Sequence, residues 1–209
     1  MSVLVAIVGG SGAGKTWLAE KLQSALGRDA ARLSLDDFYL DRSHLSPGRR
    51  ARTNFDHPRA IDWPAFRRVI EDFLAGRPAR VPGYDFATHC RLGRFRVLKP
   101  KPILLIDGLW LLRPAWLRRL FSLRVFLDCP TQTRLRRRLE RDLKTRGRSR
   151  TSVEQQFREM VEPMHQKYVG SQAKWADVVL AKPCGSRELK PLVNAIKELR
   201  NSPKGGSPR

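Results

Sequence analysis

Cysteine and methionine are scarce in this chain, three of each, and acidic residues number only 20 against 41 lysines and arginines. Cys90, Cys129 and Cys184 show neither CxxC nor mixed Cys/His spacing, which excludes a disulfide framework or a structural zinc site and leaves reduced thiols. No stretch approaches the ~20 consecutive apolar residues that a spanning helix needs. The opening residues run straight into a strand pattern, without the charged and apolar regions of a secretory leader. The expectation is a cytoplasmic chain with no membrane partner. Internal repeats and heptads are also missing. The shortage of acids gives a net charge of +21, which admits two readings: attraction to polyanions, or handling of a highly charged phosphate substrate. The arginines are scattered from Arg28 to Arg209 and read mostly as solvated charge. Only one dense cluster, Arg134, Arg136, Arg137, Arg138, Arg141, Arg146, Arg148 and Arg150, demands a local explanation. No recognisable nucleic-acid module accompanies it, so a specific nucleic-acid partner is not expected.

What is present is an alternating pattern. With 41% hydrophobic residues in 209, one substantial core is affordable, and we expect a single domain over 1–200 followed by a disordered tail, 201–209. Val3 to Val8 is an unbroken apolar run suited to a parallel strand buried on both faces. Trp17, Leu18, Leu22, Ala25 and Leu26 then recur at helical spacing until Gly27. Arg32 to Leu35 reads as a second strand, 41–54 as a mobile loop, and Asp62 as the N-cap of a helix to Ala75 with Pro64 in its first turn. Residues 80–98 read as an inserted β-hairpin broken by Gly93. Strands at Ile103 to Ile106, Leu123 to Leu127 and Val178 to Leu180 alternate with helices at Pro114 to Leu120, Thr131 to about Lys144, Ser152 to Glu162 and Arg187 to Leu199. The fold class is therefore α/β, a parallel sheet flanked by helices.

The most specific motif is Gly9-Gly10-Ser11-Gly12-Ala13-Gly14-Lys15-Thr16, which satisfies GxxxxGK(S/T) between a strand and a helix, the P-loop context. Such glycines let backbone N–H groups curl around phosphate oxygens at a helix N-terminus. Lys15 reaches the β- and γ-phosphates of ATP, and the Thr16 hydroxyl serves Mg²⁺. Asp107 ends a strand, where a Walker-B carboxylate orients the metal. Asp36 also follows a strand, and ligands of open parallel sheets lie beyond the carboxyl ends of the strands. One acid would bind metal and the other accept a proton; an isolated Asp at either place is more readily a helix cap or turn residue, but two at strand ends favour chemistry.

Together with the P-loop, Ser34-Leu35-Asp36-Asp37-Phe38-Tyr39, Asn54-Phe55-Asp56-His57-Pro58, Tyr84-Asp85-Phe86-Ala87-Thr88-His89 and Arg146-Gly147-Arg148 resemble, in order and spacing, the uridine-cytidine kinase family over residues 3–183. The resemblance implies a nucleoside-monophosphate-kinase-like fold with an arginine-bearing lid at 134–150, using ATP and Mg²⁺ to phosphorylate the 5′-hydroxyl of uridine or cytidine. It implies Asp36 as general base and a metal neighbour, Asp56 as acceptor of the ribose 2′- and 3′-hydroxyls, and Tyr39 as a pocket wall. Tyr84, Phe86 and His89 match base-recognition residues, Arg138 and Arg141 lid residues approaching phosphates and substrate, Arg146 and Arg148 nucleotide contacts, and Gln156 a further substrate contact. Family members often form homo-oligomers. Two departures stand out: Arg59-Ala60-Ile61-Asp62, where the family usually shows an acid and a phenylalanine, and Asp107-Gly108 in place of Glu-Gly. The first, beside the acceptor pocket, keeps other acceptors open, among them nicotinamide riboside, pantothenate and ribulose 5-phosphate. A nucleic-acid-binding P-loop NTPase is the alternative of a different class.

Overall fold

The computed structural model describes residues 2–181 and 185–202, with Ala51 and Ser186 described by their backbone alone. Five parallel strands form one sheet in the order β2-β5-β1-β6-β7: β1 (Val3–Gly9), β2 (Ala30–Ser34), β5 (Ile103–Gly108), β6 (Leu123–Leu127) and β7 (Val178–Leu180). Every residue of β1 and β5 is buried, as their continuous apolar runs require of central parallel strands. Side chains alternate between two cores. Leu4, Ala6, Val8, Leu104 and Ile106 face the core shared with α3 (Trp63–Leu74), whereas Val3, Val5, Ile7, Ile103 and Leu105 face Leu18 and Leu22 of α1 (Lys15–Leu26) and Leu192, Val193 and Ile196 of α8 (Ser186–Asn201). Each such buried aliphatic side chain contributes about 1.5–3 kcal/mol relative to exposure.

Local signals set the element ends. Gly27 terminates α1 at φ +64°, and Asp62 caps α3 by accepting the Ala65 N–H at 3.0 Å, with Pro64 in the first turn. Phe66, Val69, Ile70 and Phe73 form the buried stripe of α3. The register places Ser34 and Ile7 on either side of Asp107, so the polar ends of β2 and β5 lie side by side at one level. A Cβ on Gly108 would stand 2.6 Å from the Leu35 Cβ, which explains glycine directly after Asp107.

The inserted hairpin is a separate antiparallel pair, β3 (Ala79–Asp85) and β4 (Cys90–Leu98). Its turn is 86–89, not Gly93. The register shifts opposite Pro82/Gly83, making Gly93 and Arg94 a bulge within β4, where the two extra residues bend the strand. Arg91 clamps the hairpin: its N–H donates to Asp41 at 3.0 Å, its Nε to the Tyr39 carbonyl at 3.0 Å and its Nη2 to Asp62 at 3.0 Å.

Three further elements depart from the sequence reading. The 41–54 segment contains a short helix, α2 (Pro47–Ala51). Only Ala115–Arg118 (α4) is helical after β5. Beyond α5 (Thr131–Thr145) and α6 (Arg150–Gln156), helical turns continue to Trp175 instead of stopping near Glu162. They pass through wide turns at Phe157–Val161 and His165–Val169, separated by α7 (Glu162–Met164). Pro163 removes a backbone donor there, and the wide turns absorb that loss. Asn201 belongs to α8, while 203–209 and Cys184 lie outside the described residues. Among the described residues, no helix is long and apolar enough to cross a membrane.

Candidate active site

The loop between β1 and α1 must bend tightly, and its glycines allow it. Gly12 holds φ +80° and a Cβ there would lie 2.3 Å from the Arg134 carbonyl oxygen, so neither the conformation nor the space admits a side chain. Lys15 is buried and donates to the Gly10 carbonyl at 3.0 Å. Burial holds its ammonium below the usual lysine range, with Asp36 and Asp107 opposing.

The strand ends supply the acids. Thr16 Oγ1 and Ser34 Oγ both donate to Asp107 Oδ2, at 3.2 and 3.3 Å. Burial, then the neighbouring Asp36, pushes the Asp107 carboxyl up to about 6. Asp107 Oδ1 and Asp36 Oδ1 are buried without a hydrogen-bond partner, a costly arrangement that marks a place for a cation or a proton donor. The described residues hold no cluster of three or more metal-ligating His, Cys, Asp or Glu side chains. Such an oxygen-only pair beside a phosphate loop suits Mg²⁺, which takes one or two carboxylates and fills its shell with phosphate and water.

A cavity of about 500 Å³ opens above this floor. Of the sequence-predicted residues, it is lined by Ser11, Gly12, Gly14, Lys15 and Thr16 from the loop, by Asp36, Tyr39 and Asp56, by Tyr84, Phe86 and His89 of the hairpin, and by Arg138, Arg141, Arg146, Arg148 and Gln156. Gly9, Gly10 and Ala13 support the loop without lining the cavity, and Asp107 lines a smaller adjoining one of about 350 Å³ that shares Thr16 and Ser34. Asp56 is buried, and burial raises its carboxyl above the usual range against the pull of Arg138.

An aromatic box closes one end. Tyr39 stands 5.3 Å from Tyr84 and 6.4 Å from Phe86 between ring centroids. His89, at φ +57° in the hairpin turn, stacks on Phe55 at 4.3 Å with 12° between planes. Burial, then Arg148 and Arg146, lowers the imidazole to about 4, so it is neutral near pH 7. Phe55 carried no assigned role in the sequence, although it lies inside the Asn54-to-Pro58 motif; only the fold brings it under His89.

The arginine cluster divides. Arg137 donates to the Ala13 carbonyl at 3.2 Å, and Arg138 to Ser11 Oγ at 2.8 Å and Gln156 Oε1 at 2.7 Å. Arg148 donates to the same Gln156 oxygen, so Gln156 ties two arginines together. Arg146 lies over the Phe86 ring at 4.8 Å. Arg136 is exposed, as a solvated face implies. Arg134 is not: it is 1% exposed and donates to the Cys129 carbonyl at 3.0 Å and to Glu162 at 2.7 Å, an anchor for α5 behind the loop. Asp142, also missed, is wholly buried beside Arg138, Arg141 and Arg146. The signal for it was its i, i+4 relation to Arg138 and Arg146.

A sequence profile of the Phosphoribulokinase / Uridine kinase family matches residues 4–187. A uridine kinase of Streptococcus gordonii is 32% identical over 205 residues, covering 95% of this chain and 98% of that protein. One of Deinococcus deserti is 36% identical over 178 residues, covering 85% and 86%. The structure superposes on phosphoribulokinase from Rhodobacter spheroides with a TM-score of 0.62 at 16% identity, over 85% of this chain and 69% of that one, a likeness of fold. P-loop, acidic floor and hairpin thus sit in a sequence related throughout to these enzymes, and the chain belongs to the Phosphoribulokinase / Uridine kinase family.

Proposed function

We propose that this chain transfers the γ-phosphoryl group of ATP to the 5′-hydroxyl of a pyrimidine nucleoside, uridine or cytidine, giving the nucleoside 5′-monophosphate and ADP. The observation that carries this reading is one cavity lined by the phosphate loop, by the carboxylates of Asp36 and Asp56, and by the aromatic side chains Tyr39, Tyr84 and Phe86. The loop N–H groups and Lys15 hold the β- and γ-phosphates of ATP. Thr16, Asp107 and Asp36 would hold Mg²⁺, which when bound offsets the charge of the phosphates. Asp56 accepts the vicinal ribose hydroxyls, for which a carboxylate is a bidentate acceptor. Tyr39, Tyr84 and Phe86 pack on the base, and neutral His89 exchanges a hydrogen bond with its polar edge.

Asp36, with an oxygen free of protein partners, accepts the 5′-hydroxyl proton as the oxygen–phosphorus bond to the acceptor forms and the bond from the γ-phosphorus to the β–γ bridging oxygen breaks. Arg138, Arg141, Arg146 and Arg148 stabilise the transferring group and shield it from water. A coupled assay of ADP release with Mg·ATP, offering uridine, cytidine, adenosine, nicotinamide riboside, pantothenate and ribulose 5-phosphate in turn, tests the reading. Turnover with uridine or cytidine is expected, and turnover confined to another acceptor overturns it. Asp36→Asn is expected to abolish turnover while ATP binding persists.

A further inference from the structure

Five cavity arginines come from a short stretch of sequence, and the four beyond Arg137 need something to hold them against one another. Arg138, Arg141, Arg146 and Arg148 all line the cavity. Like charges this close repel, and desolvation adds to the cost: burial, then Arg141, lowers the Arg146 guanidinium below its ordinary range, and burial, then Arg138, does the same for Arg148. The side chain placed to offset this is Asp142. It does not line the cavity, it is 0% exposed, and it sits behind the arginines on α5. Its Oδ1 accepts from Arg141 Nε at 2.8 Å and faces Arg146 Nε at 3.5 Å, while Oδ2 faces Arg138 Nε at 3.4 Å. Its backbone carbonyl accepts the N–H groups of Arg146 at 3.2 Å and Arg148 at 3.3 Å, where Gly147 at φ +59° turns the chain. One residue therefore addresses four of the five cavity arginines, three through its carboxylate and the fourth through its main chain, while Arg137 is held by the Ala13 carbonyl.

We propose that Asp142 is a positioning residue for phosphoryl transfer, which sets the arginines in the arrangement the transferring phosphate requires and touches neither substrate. This rests on the reading of the cavity as a kinase site. The charge-assisted hydrogen bond to Arg141 and the ion pairs to Arg138 and Arg146 restrict side chains that otherwise lose much rotamer freedom on binding, and arginines ordered beforehand need no rearrangement when charge develops. The carboxylate also lowers the positive potential of the cavity. Its loss strengthens the general attraction for ATP while loosening the geometry, so binding and turnover separate. Simple damage to the fold lowers both together.

The test is Asp142→Asn, which keeps the volume and removes the charge. Affinity for Mg²⁺ with a fluorescent ATP analogue is read by direct titration, and turnover by nucleoside monophosphate formed per ADP released. We expect affinity within about threefold of the parent chain or tighter, kcat lower by roughly 10-fold to 100-fold, and more ADP released without product. Adding Asp142→Asn to Arg141→Gln is expected to cost less than on its own, because the two act as a unit. Affinity and kcat falling in parallel, or neither changing, overturns the proposal. If the Asn variant does not fold, Asp142→Ser, which admits water beside the guanidiniums, is measured the same way, and failure of both to fold assigns Asp142 to the fold alone and overturns it. The nucleotide titration is independent of the acceptor. A parent chain inactive on every nucleoside but still binding the analogue refutes the proposed reaction, whereas an active parent with an unchanged Asn variant refutes only the role of Asp142.

Discussion

Arg134 offers the sharpest stability prediction, because the sequence leaves open whether this helix-face arginine is solvated and the structure buries it. Arg134→Met keeps most of the apolar stem and removes the guanidinium. The Cys129 carbonyl then loses its partner at 3.0 Å and Glu162 its partner at 2.7 Å. Removing one member of a buried pair costs about 3–5 kcal/mol. Glu162 keeps 20% side-chain exposure, so water recovers part of that loss and the lower end, about 3 kcal/mol, is the expected cost. For a chain of this size each kcal/mol moves Tm by about 2–4 °C, giving a fall of about 6–12 °C. Thermal unfolding by far-UV circular dichroism measures it, with Arg136→Met as the exposed control, expected within about 0.5 kcal/mol of the parent. Replacing Glu162 with leucine in the Arg134→Met background removes the stranded charge and is expected to restore part of the loss. Arg134→Met melting together with Arg136→Met would refute the reasoning.

Gly12→Ala, forced to φ +80° against the Arg134 carbonyl, is expected to weaken ATP-analogue binding by roughly 10-fold to 100-fold, read by the same titration. Phe55→Leu removes the ring stacked on His89; KM for the nucleoside is expected to rise about 3-fold to 10-fold with kcat nearly unchanged in the coupled assay. His89 titrates at about 4 in the folded chain against an ordinary 6.5, so between those values the unfolded chain binds more protons and stability falls as pH drops. Urea unfolding across that window should show a shallower fall for His89→Gln than for the parent, and equal slopes would contradict the assignment.

The phosphate loop and its two acids were legible in the sequence because each is punctuation: glycines between a buried run and a helical stripe, and aspartates closing apolar runs. The parallel sheet followed from those runs, since central strands carry apolar residues on both faces. Gly93 misled because glycine marks bulges as well as turns, and the hairpin closes instead through His89, one of the few non-glycine residue types that enter the left-handed region with any frequency. The helical turns past Glu162 stayed hidden behind Pro163, which reads as a helix stop unless wide turns absorb it. Phe55 was invisible because its stacking partner, His89, is supplied only by tertiary folding; Asp142 carried a local signal in its spacing from Arg138 and Arg146, but its complete burial is a product of the fold.

The hairpin shares no backbone ladder with the parallel sheet; side-chain packing, the three hydrogen bonds of Arg91, the Arg96–Asp37 ion pair at 2.9 Å and the Arg50 hydrogen bond to Cys90 fasten it in place. Its cavity-facing side chains, Tyr84, Phe86 and His89, can therefore be exchanged without shifting any strand pairing that positions Lys15, Asp36 or Asp107. On the proposed reading, the base is met largely by this ribbon, with Tyr39 and Phe55 outside it, and the triphosphate by other elements, so a change of base can be met mainly by new residues on the ribbon while the phosphate loop stays as it is.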